Sequence, residues 1–142
     1  MNETIKKFGY PQTKIKEYEH WVILLRPDQV TIGSLILAYK KDVTSFSEVS
    51  YKGLQELKII YSEIENNLEM LFGMEKINYL ALMMVDNNVH YHVIPRYSKV
   101  VTFIGIEVKD YGWPSLPNFS ISNKINTEVF DEIRSVLVSK FN

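Results

Sequence analysis

The chain contains no cysteine. Disulfides, thiolate nucleophiles and cysteine-based zinc sites are therefore excluded. It also lacks an excess of either charge: 16 Lys and Arg stand against 17 Asp and Glu, a formal net charge of −1. A dedicated nucleic-acid binder usually shows a basic surplus or stripe, so a nucleic-acid polymer is not the expected partner. A mononucleotide needs only a few dipoles and one or two cations. No segment approaches the ~20 consecutive apolar residues of a membrane span. Met1-Asn2-Glu3-Thr4-Ile5-Lys6-Lys7 has no apolar run of signal-peptide length. The expectation is a cytoplasmic protein with no membrane partner.

What is present is apolar and aromatic. Hydrophobic residues make up 46% of the 142 residues and aromatics 13%, enough for a real core rather than a disordered chain. No internal repeat or linker divides it, so one domain over residues 1–142 is expected.

The first twenty residues are polar, with turn chemistry at Gly9-Tyr10-Pro11 and room for a short β segment. Trp21 to Leu25 and Ile32 to Tyr39 are compact apolar runs read as buried strands, and the short connection between them favours an antiparallel pair. Leu54, Leu57, Tyr61, Ile64, Leu68 and Leu71 follow helical spacing, with Ser47 or Ser50 as cap and Gly73 as stop. Ile77 to Val85 reads as a strand buried on both faces. Asp86-Asn87-Asn88 reads as a tight turn into a partner strand, Val89 to Ile94, in a central place. Val100 to Val108 is a further strand or ordered loop. Tyr111-Gly112-Trp113-Pro114-Ser115-Leu116-Pro117 is irregular, its Tyr111 and Trp113 a core plug or a cover over a pocket or dimer partner. Asn126 or Thr127 caps a final helix. The fold class is α+β: an antiparallel sheet with one long helix and a C-terminal helix.

Two of the three histidines, His90 and His92, lie two residues apart in Asn88-Val89-His90-Tyr91-His92-Val93-Ile94-Pro95-Arg96. In a strand, side chains alternate between faces, so Asn88, His90 and His92 share one. Half-buried, hydrogen-bonded histidines are the ordinary occupants of such a strand. Two chemical readings stand beside that one. An imidazole is a good nucleophile towards phosphorus near neutral pH. Alternatively His90 and His92 could share a metal, with Asp86 as third ligand. Arg96 is suited to bidentate oxyanion contact but equally to an ion pair. His20 could supply a distant acid or sit at a strand edge.

His90-Tyr91-His92-Val93-Ile94-Pro95-Arg96 resembles the end of the histidine triad (HIT) motif, in which three histidines alternate with hydrophobic residues. The likeness extends over about residues 18–97, through the order strand, Gly-containing turn (Ile32-Gly33-Ser34), strand, Ser-capped helix and hairpin; residues 98–142 form a C-terminal extension. Asn88 occupies the first triad position, His90 the middle one and His92 the third. The resemblance implies a nucleotide hydrolase or nucleotidyl transferase acting on a nucleoside phosphate ester, anhydride or phosphoramidate, diadenosine polyphosphates among them. His90 would be the catalytic nucleophile, forming a nucleotidyl-histidine. His92, Asn88 and Arg96 would contact substrate. The ligand would be a nucleotide or nucleotide-like small molecule. A homodimer is implied, and no cofactor or catalytic metal.

Three departures accompany it. Asn88 cannot carry a proton at neutral pH. The hairpin turn looks too short for a phosphate-holding loop. Arg26, with Asp28 nearby, stands where an acidic residue would bind ribose. The alternatives are a weak or inactive nucleotide-binding or interaction protein on the same scaffold, or a metal-binding protein using His90 and His92.

Overall fold

A computed structural model describes residues 1–142. In chain order the elements are α1 (Glu3–Lys7), β1 (Lys14–Glu17), β2 (Trp21–Leu25), β3 (Leu35–Tyr39), a 3-10 turn (Phe46–Glu48), α2 (Tyr51–Phe72), β4 (Lys76–Leu80), β5 (His90–Arg96), β6 (Val101–Phe103), β7 (Ile106–Val108) and α3 (Thr127–Phe141). Five strands form an antiparallel sheet in the order β1-β2-β3-β5-β4. The α+β class is as expected, and so is the interior position of the histidine strand, β5. No helix is long and apolar enough to cross a membrane.

Register divides the sheet into two faces. Val22 pairs with Ala38 and Leu24 with Ile36, while Ala38 and Ile36 pair in turn with His90 and His92. Directly opposed residues share a face. The other face carries Trp21, Ile23, Leu25, Leu35, Leu37, Tyr39 and Val93, and it meets α2 and α3 in the main apolar cluster. On the histidine face the apolar cluster is much smaller: Ile5, Val22, Leu24, Ile36 and Ala38, with Phe8 and Tyr10 against it. The segment α1–Tyr10 thus lies over the histidine side of the sheet. Its helix was not foreseen, because five residues are too few for a readable period.

In α2, Ser50 is the cap, its Oγ accepting from the Gly53 N–H at 3.0 Å; Ser47 sits in the preceding 3-10 turn. Gly73 ends the helix in the left-handed region at φ 72°, which glycine adopts without steric cost. The buried stripe is Leu57, Ile60, Ile64, Leu68 and Phe72, rotated from the expected one, and Leu54 is 49% exposed. The rotation has a cause at the first turn. Trp21 Nε1 donates to the Gly53 carbonyl at 2.8 Å, and a Cβ on Gly53 would meet the Tyr39 ring at 3.0 Å. Gly53 is therefore where the helix closes onto the sheet.

Three boundaries also differ from expectation. β3 starts at Leu35, because Thr31 and Ser34 bond each other in a turn. β4 ends at Leu80 and is a half-buried outer strand, not one buried on both faces. Residues 81–89 consequently form a longer connection to β5, and the turn is not tight. Residues 101–108 fold as a hairpin of their own, turning at Ile104 (φ 41°) and Gly105 (φ 80°), the positive-φ pair of a two-residue turn.

Candidate functional site

His90 is 1% exposed, yet it is not inertly buried. Its Nδ1 lies 2.7 Å from the Asn88 carbonyl oxygen. A carbonyl only accepts, so Nδ1 carries the hydrogen. In the neutral ring the lone pair is then on Nε2. Nε2 has no protein partner, while every buried side-chain nitrogen and oxygen in the molecule has one. The small exposed part of His90 therefore includes the nitrogen with the free lone pair.

His92, 8% exposed, packs edge-on to His90 with ring centroids 5.1 Å apart. Its Nδ1 faces Arg26 Nε at 3.4 Å, a long hydrogen bond in which the guanidinium donates. The hydrogen of the neutral His92 ring is accordingly on Nε2. Burial, then the Arg26 charge, then His90 pull its pKa down to about 4, with Asp86 opposing them. At neutral pH the pair therefore comprises one imidazole with a free lone pair and one that donates. Two aromatic rings cover them: Phe8 lies 5.7 Å from His90 and 5.9 Å from His92, and Phe119 lies 5.8 Å from His92.

Asn88 shares the buried interior of this face but is committed elsewhere. Its Oδ1 accepts from Thr4 Oγ1 at 3.0 Å and from the Thr4 N–H at 3.3 Å. Its own N–H donates back to Thr4 Oγ1 at 3.2 Å, and its Nδ2 donates to Asp42 at 2.7 Å. Lys7 adds an ion pair to Asp86 at 2.6 Å. Together these contacts fasten α1 over the histidines. An amide serves this role because one end accepts while the other donates.

Arg96 is likewise committed. Its Nε and Nη2 reach Asp110 at 2.7 and 3.1 Å, and its Nη1 reaches Asn78 at 2.8 Å and the Ser115 carbonyl at 2.7 Å. Burial pushes Asp110 up, but hydrogen bonds from Arg96, the Tyr97 N–H and the Gly112 N–H outweigh it and hold the carboxyl below its ordinary value. The pair binds the end of β5 to the loop that carries Trp113. That loop covers the β4 side of the sheet around a cavity of about 530 Å³, lined by Asn78, Leu80, Arg96, Trp113 and Leu116 among others and by no histidine.

The structure thus brings His90 and His92 together and engages the side chains of Asn88 and Arg96 in structural bonds. It does not bring His20 to them: His20 meets Glu19 at 3.8 Å, and its N–H donates to Glu56. Nor do His90, His92 and Asp86 converge as a ligand set. The group with metal-compatible spacing is Glu19, His20 and Glu56. Phe8, Thr4, Phe119 and Asp110 carry no local sequence signal for their places here, since each arrives from a distant segment.

No family model matches this sequence, and no curated protein does. The structure, in contrast, is similar to solved histidine triad proteins. One from Sinorhizobium meliloti 1021 superposes with a TM-score of 0.76 at 20% identity, covering 99% of this chain and 95% of that one. Another, from Marinobacter aquaeolei VT8, gives 0.75 at 20% identity over 100% and 97%. A hypothetical histidine triad nucleotide-binding protein from Sulfolobus tokodaii strain7 gives 0.69 at 15% identity over 91% and 83%. At these identities the likeness establishes the fold: this chain has the histidine triad fold, with a buried pair of strand histidines at its centre.

Proposed function

We propose that this protein is a divergent histidine triad enzyme, a nucleotide hydrolase or nucleotidyl transferase acting through His90. The observation that carries the reading is the 2.7 Å bond from His90 Nδ1 to the Asn88 carbonyl. It fixes the tautomer that leaves Nε2 nucleophilic, and it disperses positive charge once Nε2 is bonded to phosphorus. Any residue at position 88 supplies that carbonyl, so Asn88 is compatible with activity despite replacing a histidine.

The reaction runs in two steps. The His90 Nε2 lone pair attacks phosphorus; the P–N bond to His90 forms as the bond to the leaving atom breaks, and that atom, an oxygen or the nitrogen of a phosphoramidate, departs with the electron pair, the nitrogen taking a proton from solvent. Water or another acceptor hydroxyl then attacks phosphorus. The P–N electrons return to Nε2, and the acceptor's proton passes to solvent. His92 presents Nε2–H to a phosphoryl oxygen. Asn88 acts through its carbonyl, and Arg96 holds the strand end rather than touching substrate. The ligand is a nucleotide or nucleotide-like molecule, and the protein works as a homodimer.

The first test is turnover of a nucleoside phosphoramidate and of diadenosine polyphosphates by wild type and His90→Ala. Turnover that disappears in the variant while its circular dichroism is unchanged supports the reading. Equal turnover removes His90 from the mechanism. A second reading, a nucleotide-binding protein without turnover, draws on the Phe8 and Phe119 cover over the histidines. It predicts binding by wild type across the same panel with no product.

A further inference from the structure

Arg26 is a cation without a counter-ion. No carboxylate forms an ion pair with it, although six lysine and arginine side chains have one. Of its five N–H groups, Nε gives the long bond to His92 and one on Nη1 gives a 2.9 Å bond to the Asp28 carbonyl. The remaining three have no protein acceptor. Since no buried side-chain nitrogen is left unpartnered, Nη2 must face solvent. The guanidinium carbon is also held 5.2 Å from the Phe119 ring centroid. Burial weakens its hold on its proton, and Asp28 partly restores it. This is a fixed, partly desolvated guanidinium with donors to spare, which is the condition under which Arg binds an oxyanion strongly.

Register says where that oxyanion would lie. Val22, Ala38 and His90 form one row across the sheet, and Leu24, Ile36 and His92 the next. Arg26 continues the alternation from Leu24 and takes its place in the following row, reaching over β3 to His92. His92 therefore stands between the nucleophile and the guanidinium. The His90 and His92 ring centroids lie 5.1 Å apart, and Arg26 Nε lies 3.4 Å from His92 Nδ1. A phosphorus bonded to His90 Nε2 is thus separated by the His92 ring from the anion that Arg26 would hold. Adjacent phosphates of an anhydride share a bridging oxygen and lie closer than this; phosphates on different positions of one sugar are better separated.

We propose that Arg26 binds a second phosphate of the substrate, one not adjoining the phosphoryl group at His90. It is then a specificity-determining residue that favours nucleotides phosphorylated on the sugar as well as at the 5′ position. This rests on the nucleotide-binding reading above.

The test is calorimetric titration of the full chain with adenosine 5′-monophosphate, adenosine 5′-diphosphate and adenosine 3′,5′-bisphosphate. Wild type should bind the bisphosphate about tenfold more tightly than the other two, the value of one charge-assisted contact. Arg26→Met should erase that preference, and Arg26→Lys should restore part of it. Folding of the variants is checked by circular dichroism. If wild type prefers the diphosphate, the second phosphate is the adjoining one and the proposal is overturned. Equal binding of all three, or a preference that survives in Arg26→Met, also overturns it while leaving nucleotide binding intact. Failure of wild type to bind any of them overturns the underlying reading as well.

Discussion

Arg26 and Arg96 lie on the same face of one sheet, yet their surroundings have opposite characters. Arg96 is 4% exposed and bonds through all three of its nitrogens: Asp110 takes Nε and Nη2, and Asn78 and the Ser115 carbonyl share Nη1. Arg26 has no carboxylate, one weak bond to His92, and donors that reach solvent. An arginine whose three nitrogens are all bonded to protein is architecture. One held in place with free donors beside the histidine pair can still donate to a ligand's oxyanion. Sequence makes Arg96 the more attractive phosphate contact, because it follows Pro95 in the histidine motif. The difference lies in Asp110, fourteen residues on, and no local pattern reports it.

The largest effect that would sharpen this contrast is on stability at the Arg96 corner. Arg96→Met leaves a buried carboxylate unpaired and should cost about 3–5 kcal/mol in urea unfolding. A loss below 1 kcal/mol would show that the corner is not structural. Acid should produce the next largest effect. The folded pKa of His92 is depressed to about 4 from an ordinary 6.5. The folded state therefore holds fewer protons than the unfolded one between these values. Stability conferred by neutral His92 is complete above pH 6.5 and is lost as pH falls to about 4, by up to about 3 kcal/mol. Arg26→Met should raise the His92 pKa, read from its imidazole NMR signals, and shrink that loss. Burial keeps the value below 6.5. An unmoved His92 would separate the two residues electrostatically.

Asn88→Ala should cost about 1–3 kcal/mol by freeing Thr4 and Asp42. It should leave chemistry at His90 in place, because the carbonyl at position 88 remains. Loss of all turnover in a folded Asn88→Ala protein would mean that the side chain is needed. The smallest effect is expected for Arg26→Met on stability, within about 0.5 kcal/mol, the range of substitutions that break no buried pair. A large loss there would make the two arginines alike and both structural.

These outcomes bear on what could be read from the chain alone. β2, β3 and β5 were legible because β-branched and leucine runs stop at Arg26-Pro27 and Lys40-Lys41, and because alternation put His90 and His92 on one face. The two caps of α2, Ser50 and Gly73, were legible from their chemistry. The helix's buried stripe was not, since Gly53 sets its rotation by tertiary contact with Trp21 and Tyr39. The apolar residues Ala81 to Val85 read as strand, but only partners could end β4 at Leu80. In the candidate site, the histidines were evident from spacing. The clamp of Thr4 on Asn88 spans 84 residues and the Arg26–His92 contact 66, separations at which spacing carries no information.

The central claim is that His90 Nε2 is the nucleophile, with its tautomer set by the Asn88 carbonyl. The most direct measurement is intact-mass and peptide-mapping spectrometry of the protein quenched during turnover of a nucleoside phosphoramidate. A nucleotidyl adduct on His90 is predicted in wild type and in Asn88→Ala, and none in His90→Ala. An adduct mapped to His92, or to any residue other than His90, would contradict the account.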